Sequence, residues 1–179
     1  ELRRILDVGC GTGSCTVRLA ELYPEAEIVG IDLNPDHVIR ARRNCLKFRD
    51  RVRIEEGDAF ELQLLSDSFD LVVCRHLLQA IPSPEKVVEE CRRVVSSGGW
   101  LHLLVEDYTM IHIGTSEVFD RFWLDGALRF GEDLGCDLRI GRRGMELLKG
   151  FEHRRLDFVA VDTERVSRDD LAAVFTAWR

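Results

Sequence analysis

The chain has 179 residues, of which 45% are hydrophobic and 32% charged, and its formal charge is −7. This composition is typical of a globular domain, and the negative charge argues against an electrostatic nucleic-acid binder. No apolar run approaches the roughly 20 residues that a membrane-spanning helix needs. The six cysteines form no C-x-x-C pair, so the sequence shows no zinc-ribbon or redox motif.

In the first half of the chain, strand patterns alternate with helix patterns. Short apolar runs predict buried strands at 5–8, 27–31, 52–55, 69–74 and 100–105. Helical spacing predicts helices at 12–22, at 34–45 and at 84–96, and Ser97-Gly98-Gly99 is predicted to end the last one. Strands that alternate with helices pair in parallel through right-handed crossovers. The predicted fold is α/β, with a doubly wound, mostly parallel Rossmann-like sheet and helices on both faces.

The second half is less regular. Aromatic residues and glycines between 108 and 144 indicate helix and loop that cover the sheet edge or roof a pocket. A short helix is predicted at 145–149, a sixth strand at 155–161 and a last helix at 169–178. No repeat or interdomain linker is visible, so we expect a single domain over 1–179.

A glycine-rich turn joins the first predicted strand to the first predicted helix, in the segment ILDVGCGTG at 5–13. Its three alternate glycines let the backbone turn sharply and let a ligand approach, and the amides that open the helix favour negative or polar ligand groups. Asp7 could accept a hydrogen bond from a ligand ammonium. The spacing differs from the G-x-G-x-x-G of dinucleotide sites, because Ser14 and Thr16 stand where the third glycine would be.

Two acidic residues follow the next two predicted strands. Asp32, in IVGIDLNP, could bind both hydroxyls of a ribose or could cap the next helix, although Asn34 is the better cap. Asp58, in EEGDAFEL, could accept a hydrogen bond from an adenine amine or could merely form a turn with Gly57.

Together these segments resemble the class I S-adenosylmethionine-dependent methyltransferases. The matching segments, in the family's order, are ILDVGCGTG, IVGIDLNP, GDAF, FDLVVCRHLLQAIPSP and RRVVSSGGWLHLLVED, and they span roughly residues 2–107. The resemblance implies S-adenosylmethionine as cofactor and S-adenosylhomocysteine as product. It implies glycine contacts to the methionine part, Asp32 on the ribose and Asp58 on the adenine. The cofactor-binding positions expected from it are Asp7, Gly9, Cys10, Gly11, Gly13, Asp32, Leu33, Asp58, Ala59, Arg75 and Gln79.

The resemblance also divides the domain into a cofactor-binding core at 1–107 and a segment at 108–179 that covers the acceptor side and completes the sheet. The first strand pattern begins four residues after the start of the chain, and no seventh strand pattern follows residue 161. We therefore expect a domain that is truncated at both ends and whose turnover is weakened.

Methyl transfer from a sulfonium is an in-line displacement, for which the protein mainly supplies position and electrostatics. No N/D-P-P-Y or N-P-P-F signature follows the fourth strand, which argues against methylation of exocyclic amino groups of DNA or of glutamine. Glu106 and His112 are the predicted acceptor-side catalytic groups. His76 and Tyr108 also lie near strand ends, and a helix-start role explains His76 as well.

The predicted function is methyl transfer to an unidentified small-molecule acceptor. We expect a cytoplasmic protein without a metal, a nucleic-acid partner or a membrane partner. Two alternatives stay open. One is an NAD(P)-dependent oxidoreductase on a similar sheet, and the other is a module that binds S-adenosylmethionine without turnover.

Overall fold

Five parallel strands form the centre of the fold in the computed structural model, which describes residues 2–108, 116–152 and 154–157. The strands are β1 (Arg4–Val8), β2 (Glu27–Asp32), β3 (Val52–Glu56), β4 (Phe69–Arg75) and β5 (Val95–Leu104). Their order across the sheet is β3-β2-β1-β4-β5, and every pairing is parallel. The strand order reverses between β1 and β4, so the predicted doubly wound α/β sheet is confirmed.

Helices pack on both faces of the sheet, as predicted. The first three are α1 (Ser14–Leu22), α2 (Pro35–Asn44) and α3 (Pro84–Val94). The successive residues Ile5 and Leu6 of β1 belong to different apolar clusters, because successive side chains of a strand point to opposite faces. Ile5 joins the cluster that contains residues of α1 and α2. Leu6 joins the cluster that contains the buried face of α3.

The start of α2 follows the predicted pattern closely. The Asn34 side chain accepts a hydrogen bond from the Asp36 N–H at 2.9 Å, and Pro35 occupies the first turn. An asparagine cap satisfies one of the amides that a helix start leaves unpaired, and proline there sacrifices no bond. Asp32 is therefore not needed as the cap of this helix.

The end of α3 and the start of β5 differ from the prediction. The helix ends at Val94 rather than at residue 96, and β5 begins at once with Val95, which pairs with Phe69. The next paired positions are Leu71 and Trp100, so β5 carries three extra residues as a bulge. Gly98 lies in that bulge with a φ of 79°. Ser97-Gly98-Gly99 therefore forms an irregularity inside the strand, because sheet pairing on both sides of it outweighs the local turn signal.

The described part of the second half is helical and irregular. It contains the helices α4 (Glu117–Asp120), α5 (Leu128–Asp133) and α6 (Gly144–Leu147), with a π-helical segment at Arg121–Ala127 between the first two. Residues 155–157 of the predicted sixth strand are not in a strand, and 158–161 and the predicted helix at 169–178 lie outside the described residues. Among the described helices, none has the length and apolarity to cross a membrane.

Candidate active site

An open cleft of about 1090 Å³ lies where the carboxyl ends of β1, β2 and β4 meet. This is the point where the strand order reverses, and open α/β sheets bind ligands there. A smaller cavity of about 330 Å³ lies near the amino ends of β1 to β3. Arg51, which lines this cavity, donates hydrogen bonds to backbone carbonyls of the loop between α1 and β2. The larger cleft is the candidate site on grounds of position and size.

Most of the predicted cofactor positions line this cleft. Those that line it are Asp7, Gly9, Cys10, Gly11, Asp32, Leu33 and Arg75, together with the predicted acceptor-side Glu106. Gly13, Asp58, Ala59 and Gln79 are not among the lining residues. His112 lies outside the described residues, as do residues 109–115 as a whole.

Asp32 ties the glycine loop to the end of β2. One carboxylate oxygen accepts the Gly11 N–H at 2.8 Å, and the other accepts the Asn34 N–H at 3.0 Å. The second oxygen also lies 3.2 Å from Nδ1 of His37. The Asp32 side chain is 13% exposed, so a ligand in the cleft can still reach it. This residue therefore has an internal structural role as well as a position on the cleft.

Asp7 is a buried carboxyl at the end of β1, 1% exposed. Burial is the main effect on its pKa and raises it to about 6. A hydrogen bond from Thr16 and the charge of Arg75 lower the pKa and so oppose this effect in part. Thr16 Oγ1 donates to Asp7 Oδ2 at 2.6 Å. Within the described residues, the buried Nε of Arg75 has no hydrogen-bond partner. The cleft thus contains the Asp7 carboxyl, whose charged form burial disfavours, and the Arg75 Nε–H, which lacks a hydrogen-bond acceptor within the described residues.

Cys10 and Leu33 line the cleft with apolar surface. Cys10 is buried, and burial, followed by the charges of Asp7 and Asp32, raises the pKa of its thiol far above its ordinary value. An uncharged thiol of this kind behaves as a small hydrophobic group. Leu33 is 66% exposed at the rim. An exposed apolar side chain beside a ligand cleft can cover a flat ring that binds next to it.

Asp58 follows β3 at the same edge of the sheet. Asp32 pairs with Glu56 in adjacent strands, and the Gly57 N–H donates to the Asp32 carbonyl at 3.1 Å. One oxygen of Asp58 accepts the Phe60 N–H at 2.9 Å, which is the turn interaction that the sequence left open. Ala59 packs against the core. The turn does not use the second carboxylate oxygen.

The ends of β4 and β5 bring together polar residues that lie far apart in the sequence. His76 Nδ1 lies 3.0 Å from Glu106 Oε1, and Gln79 Nε2 donates to Glu106 Oε2 at 2.6 Å. His76, Glu106 and Tyr108 line the cleft. Sequence reasoning missed the pairing of His76 with Glu106. The usable signal was that each residue closely follows one of two strands that this fold places side by side.

The sequence comparison identifies the family. A model described as "Methyltransferase domain" matches residues 1–117. The chain belongs to the methyltransferase domain family. Among curated relatives, a ubiquinone biosynthesis O-methyltransferase of Paraburkholderia phymatum is 35% identical over 122 residues, which is 65% of this chain and 52% of the relative. A demethylmenaquinone methyltransferase of Deinococcus radiodurans is 38% identical over 102 residues, 57% of this chain and 42% of the relative. This methyltransferase domain therefore spans about half the length of the curated relatives it matches.

Solved structures carry the same fold. A Bacillus halodurans protein has a TM-score of 0.60 at 23% identity and covers 81% of this chain and 60% of its own, a likeness that concerns the fold alone. The [4+2]-cyclase SpnF is 30% identical with a TM-score of 0.53 and covers 56% of this methyltransferase domain and 38% of its own chain. A structural neighbour named as a cyclase shows that this fold does not by itself establish methyl transfer.

Proposed function

We propose that this domain binds S-adenosylmethionine in the cleft and transfers its methyl group to a small-molecule acceptor. The observation that carries the proposal is the cleft itself. It lies at the strand-order reversal of a methyltransferase-family sheet. Asp32 at the end of β2 accepts a hydrogen bond from the glycine loop, and Asp7 and Arg75 lie near the ends of β1 and β4. Bound S-adenosylmethionine would supply an electrophilic sulfonium methyl, and the protein would supply position and electrostatics.

Asp7 and Arg75 fit the amino-acid end of this cofactor. A ligand ammonium near Asp7 would compensate a carboxylate that burial now disfavours, and would bring the Asp7 pKa back down. A ligand carboxylate would accept from the buried Arg75 Nε, which has no partner within the described residues. A zwitterionic amino acid therefore satisfies both groups at once.

Asp32 and Leu33 fit the nucleoside end. One oxygen of the Asp32 carboxylate accepts the Asn34 amide and contacts His37, and the other accepts only the loop amide and so retains accepting capacity for a ribose hydroxyl. Leu33 offers exposed apolar surface next to it. We place the adenine near Leu33, with the second oxygen of Asp58 as the acceptor for its amine and Ala59 beside it.

The acceptor is proposed to be a small molecule, in keeping with the names of the curated relatives. Two of these are the ubiquinone biosynthesis O-methyltransferase and the demethylmenaquinone methyltransferase above. The net charge of −7 is unfavourable for a nucleic-acid acceptor. Six free cysteines fit a reducing compartment, so we propose a cytoplasmic location.

Ligand-dependent unfolding and label transfer test this proposal together. S-adenosylhomocysteine at 100 times its Kd should stabilise the protein by about 2.7 kcal/mol, whereas NAD and NADP should not stabilise it. Incubation with S-adenosylmethionine carrying a labelled methyl group and a panel of phenols, carboxylic acids, amines and thiols should label one class. Stabilisation by NAD alone would favour the oxidoreductase. Binding of S-adenosylhomocysteine with no labelled acceptor would favour a binding module or a cyclase-like activity.

A further inference from the structure

His76 and Glu106 form a paired imidazole and carboxylate at the wall of the cleft. Nδ1 of His76 lies 3.0 Å from Oε1 of Glu106, with the His76 side chain 51% exposed and the Glu106 side chain 23% exposed. Because Nδ1 faces the carboxylate, Nε2 is the imidazole nitrogen left for a ligand. A neutral imidazole that donates through Nδ1 carries its free lone pair on Nε2, which is the arrangement of a general base.

The Glu106 carboxylate is itself positioned by a hydrogen bond from a buried side chain. Gln79, which is 1% exposed, donates Nε2 to the second oxygen of Glu106 at 2.6 Å. Burial and the nearby Glu106 charge raise the pKa of Tyr108, which also lines the cleft. Both carboxylate oxygens therefore have fixed partners. An exposed ion pair that served only the surface would not need a fully buried amide to orient its carboxylate.

The backbone at His76 is also unusual. Its φ is 57°, in the left-handed region that few side chains adopt, and its N–H donates to the carbonyl of Leu104 at 3.1 Å. This bond ties the end of β4 to the end of β5, two residues before Glu106. Residues held in sparsely populated backbone regions occur preferentially at functional sites.

We propose that His76 is the general base for an acceptor hydroxyl, with Glu106 and Gln79 as positioning residues; this rests on the proposed methyl transfer. The hydroxyl oxygen of the acceptor forms a bond to the methyl carbon, and the carbon–sulfur bond breaks with its electron pair remaining on sulfur. The hydroxyl proton passes to Nε2 of His76 and then to water, which the half-exposed ring can reach. The acceptor class is a weakly acidic hydroxyl, such as a phenol or an enol. A neutral amine can attack without prior loss of a proton and has less need of such a base.

Other titratable groups face the same cleft and contribute to any pH profile. They are Asp7, Cys10, Cys15, Asp32, His37, Arg75, Glu106 and Tyr108. A pH profile alone would therefore not assign the base, and the test needs a readout that belongs to position 76. Chemical rescue supplies one, because glycine at 76 leaves a space that imidazole from solution can fill.

The test compares the native protein with H76G, E106Q and a control, H102Q. Glycine tolerates the φ of 57° at position 76, so H76G should fold at least as well as the native protein. His102 lies in β5, is exposed and does not line the cleft, so H102Q should behave as native. All variants should retain native affinity for S-adenosylhomocysteine, measured by calorimetry. H76G should lose about 10²- to 10⁴-fold in kcat for a phenol panel, with KM little changed. E106Q should lose less.

Two further readouts complete the test. Added imidazole should restore phenol methylation in H76G and leave H102Q unchanged. With S-adenosylhomocysteine bound, 4-nitrophenol should show more of its anion absorbance on the native protein than on H76G at the same pH. Equal anion absorbance, native kcat in H76G, or label transfer to amines or thiols alone would overturn the role of His76. Failure of every variant and of the native protein to bind S-adenosylhomocysteine would instead overturn the proposed function.

Discussion

A methyl group added at Gly11 should weaken ligand binding while lowering the stability of the fold only slightly. Gly11 has a φ of 55°, and a Cβ built there meets no other atom within 4 Å, so it would project into open space beside the cleft. The cost to the folded state is therefore the left-handed strain alone, about 1–2 kcal/mol. Gly98, in the β5 bulge, has a φ of 79° and equally open surroundings. Gly98→Ala is thus a control with similar strain and no place in the cleft.

The assay pairs urea unfolding with calorimetry. Gly11→Ala and Gly98→Ala should each lower the free energy of unfolding by about 1–2 kcal/mol. Only Gly11→Ala should also lose affinity for S-adenosylhomocysteine, by about 1–3 kcal/mol or roughly 5- to 150-fold, because its methyl occupies ligand space. Equal affinities for the two variants would refute the placement of the cofactor over the glycine loop. A much larger stability loss in Gly11→Ala alone would refute the strain argument.

The remaining predictions concern the three carboxylates. Asp32→Asn should lower the affinity for S-adenosylhomocysteine at least tenfold, but should leave the affinity for a 2′-deoxyribose analogue almost at its native value. An equal loss of affinity for both ligands would contradict the ribose role of Asp32. Burial raises the Asp7 pKa from 3.8 to about 6, so ionising it costs the folded state stability as pH rises between those values. The free energy of unfolding of Asp7→Asn should therefore exceed that of the native protein by about 2–3 kcal/mol above pH 6 and should equal it below pH 4. The variant should also bind the ligand more weakly. A fixed difference at every pH would contradict this. Native Asp58 should discriminate against the inosine analogue of the cofactor product, and equal affinity for both would remove it from the site.

The sheet could be predicted from sequence because parallel buried strands are read as short apolar runs between glycine and proline signals. The glycine turn after β1 and the acidic residue after β2 also lie where the pattern indicated. Both features depend on residues close together in the chain. The resemblance to a known family added the expected roles, which the local pattern alone did not contain.

The features that escaped prediction depend on contacts between distant residues. Ser97-Gly98-Gly99 has the local chemistry of a helix stop, and only the pairing of Val95 with Phe69 makes it a strand bulge. His76 and Glu106 are separated by 30 residues, and their contact follows from the adjacency of β4 and β5. Adjacency of these strands, and the buried position of Gln79 behind Glu106, are properties of the fold and not of either segment.

The most direct test of the central claim is a crystal structure of the protein with bound S-adenosylhomocysteine. We expect the ribose within hydrogen-bond distance of Asp32 and the amino-acid end against Asp7 and Arg75, with the sulfur facing the side of the cleft that holds His76. The ligand in the smaller cavity beside Arg51, or in the cleft with its nucleoside away from Asp32, would contradict the account.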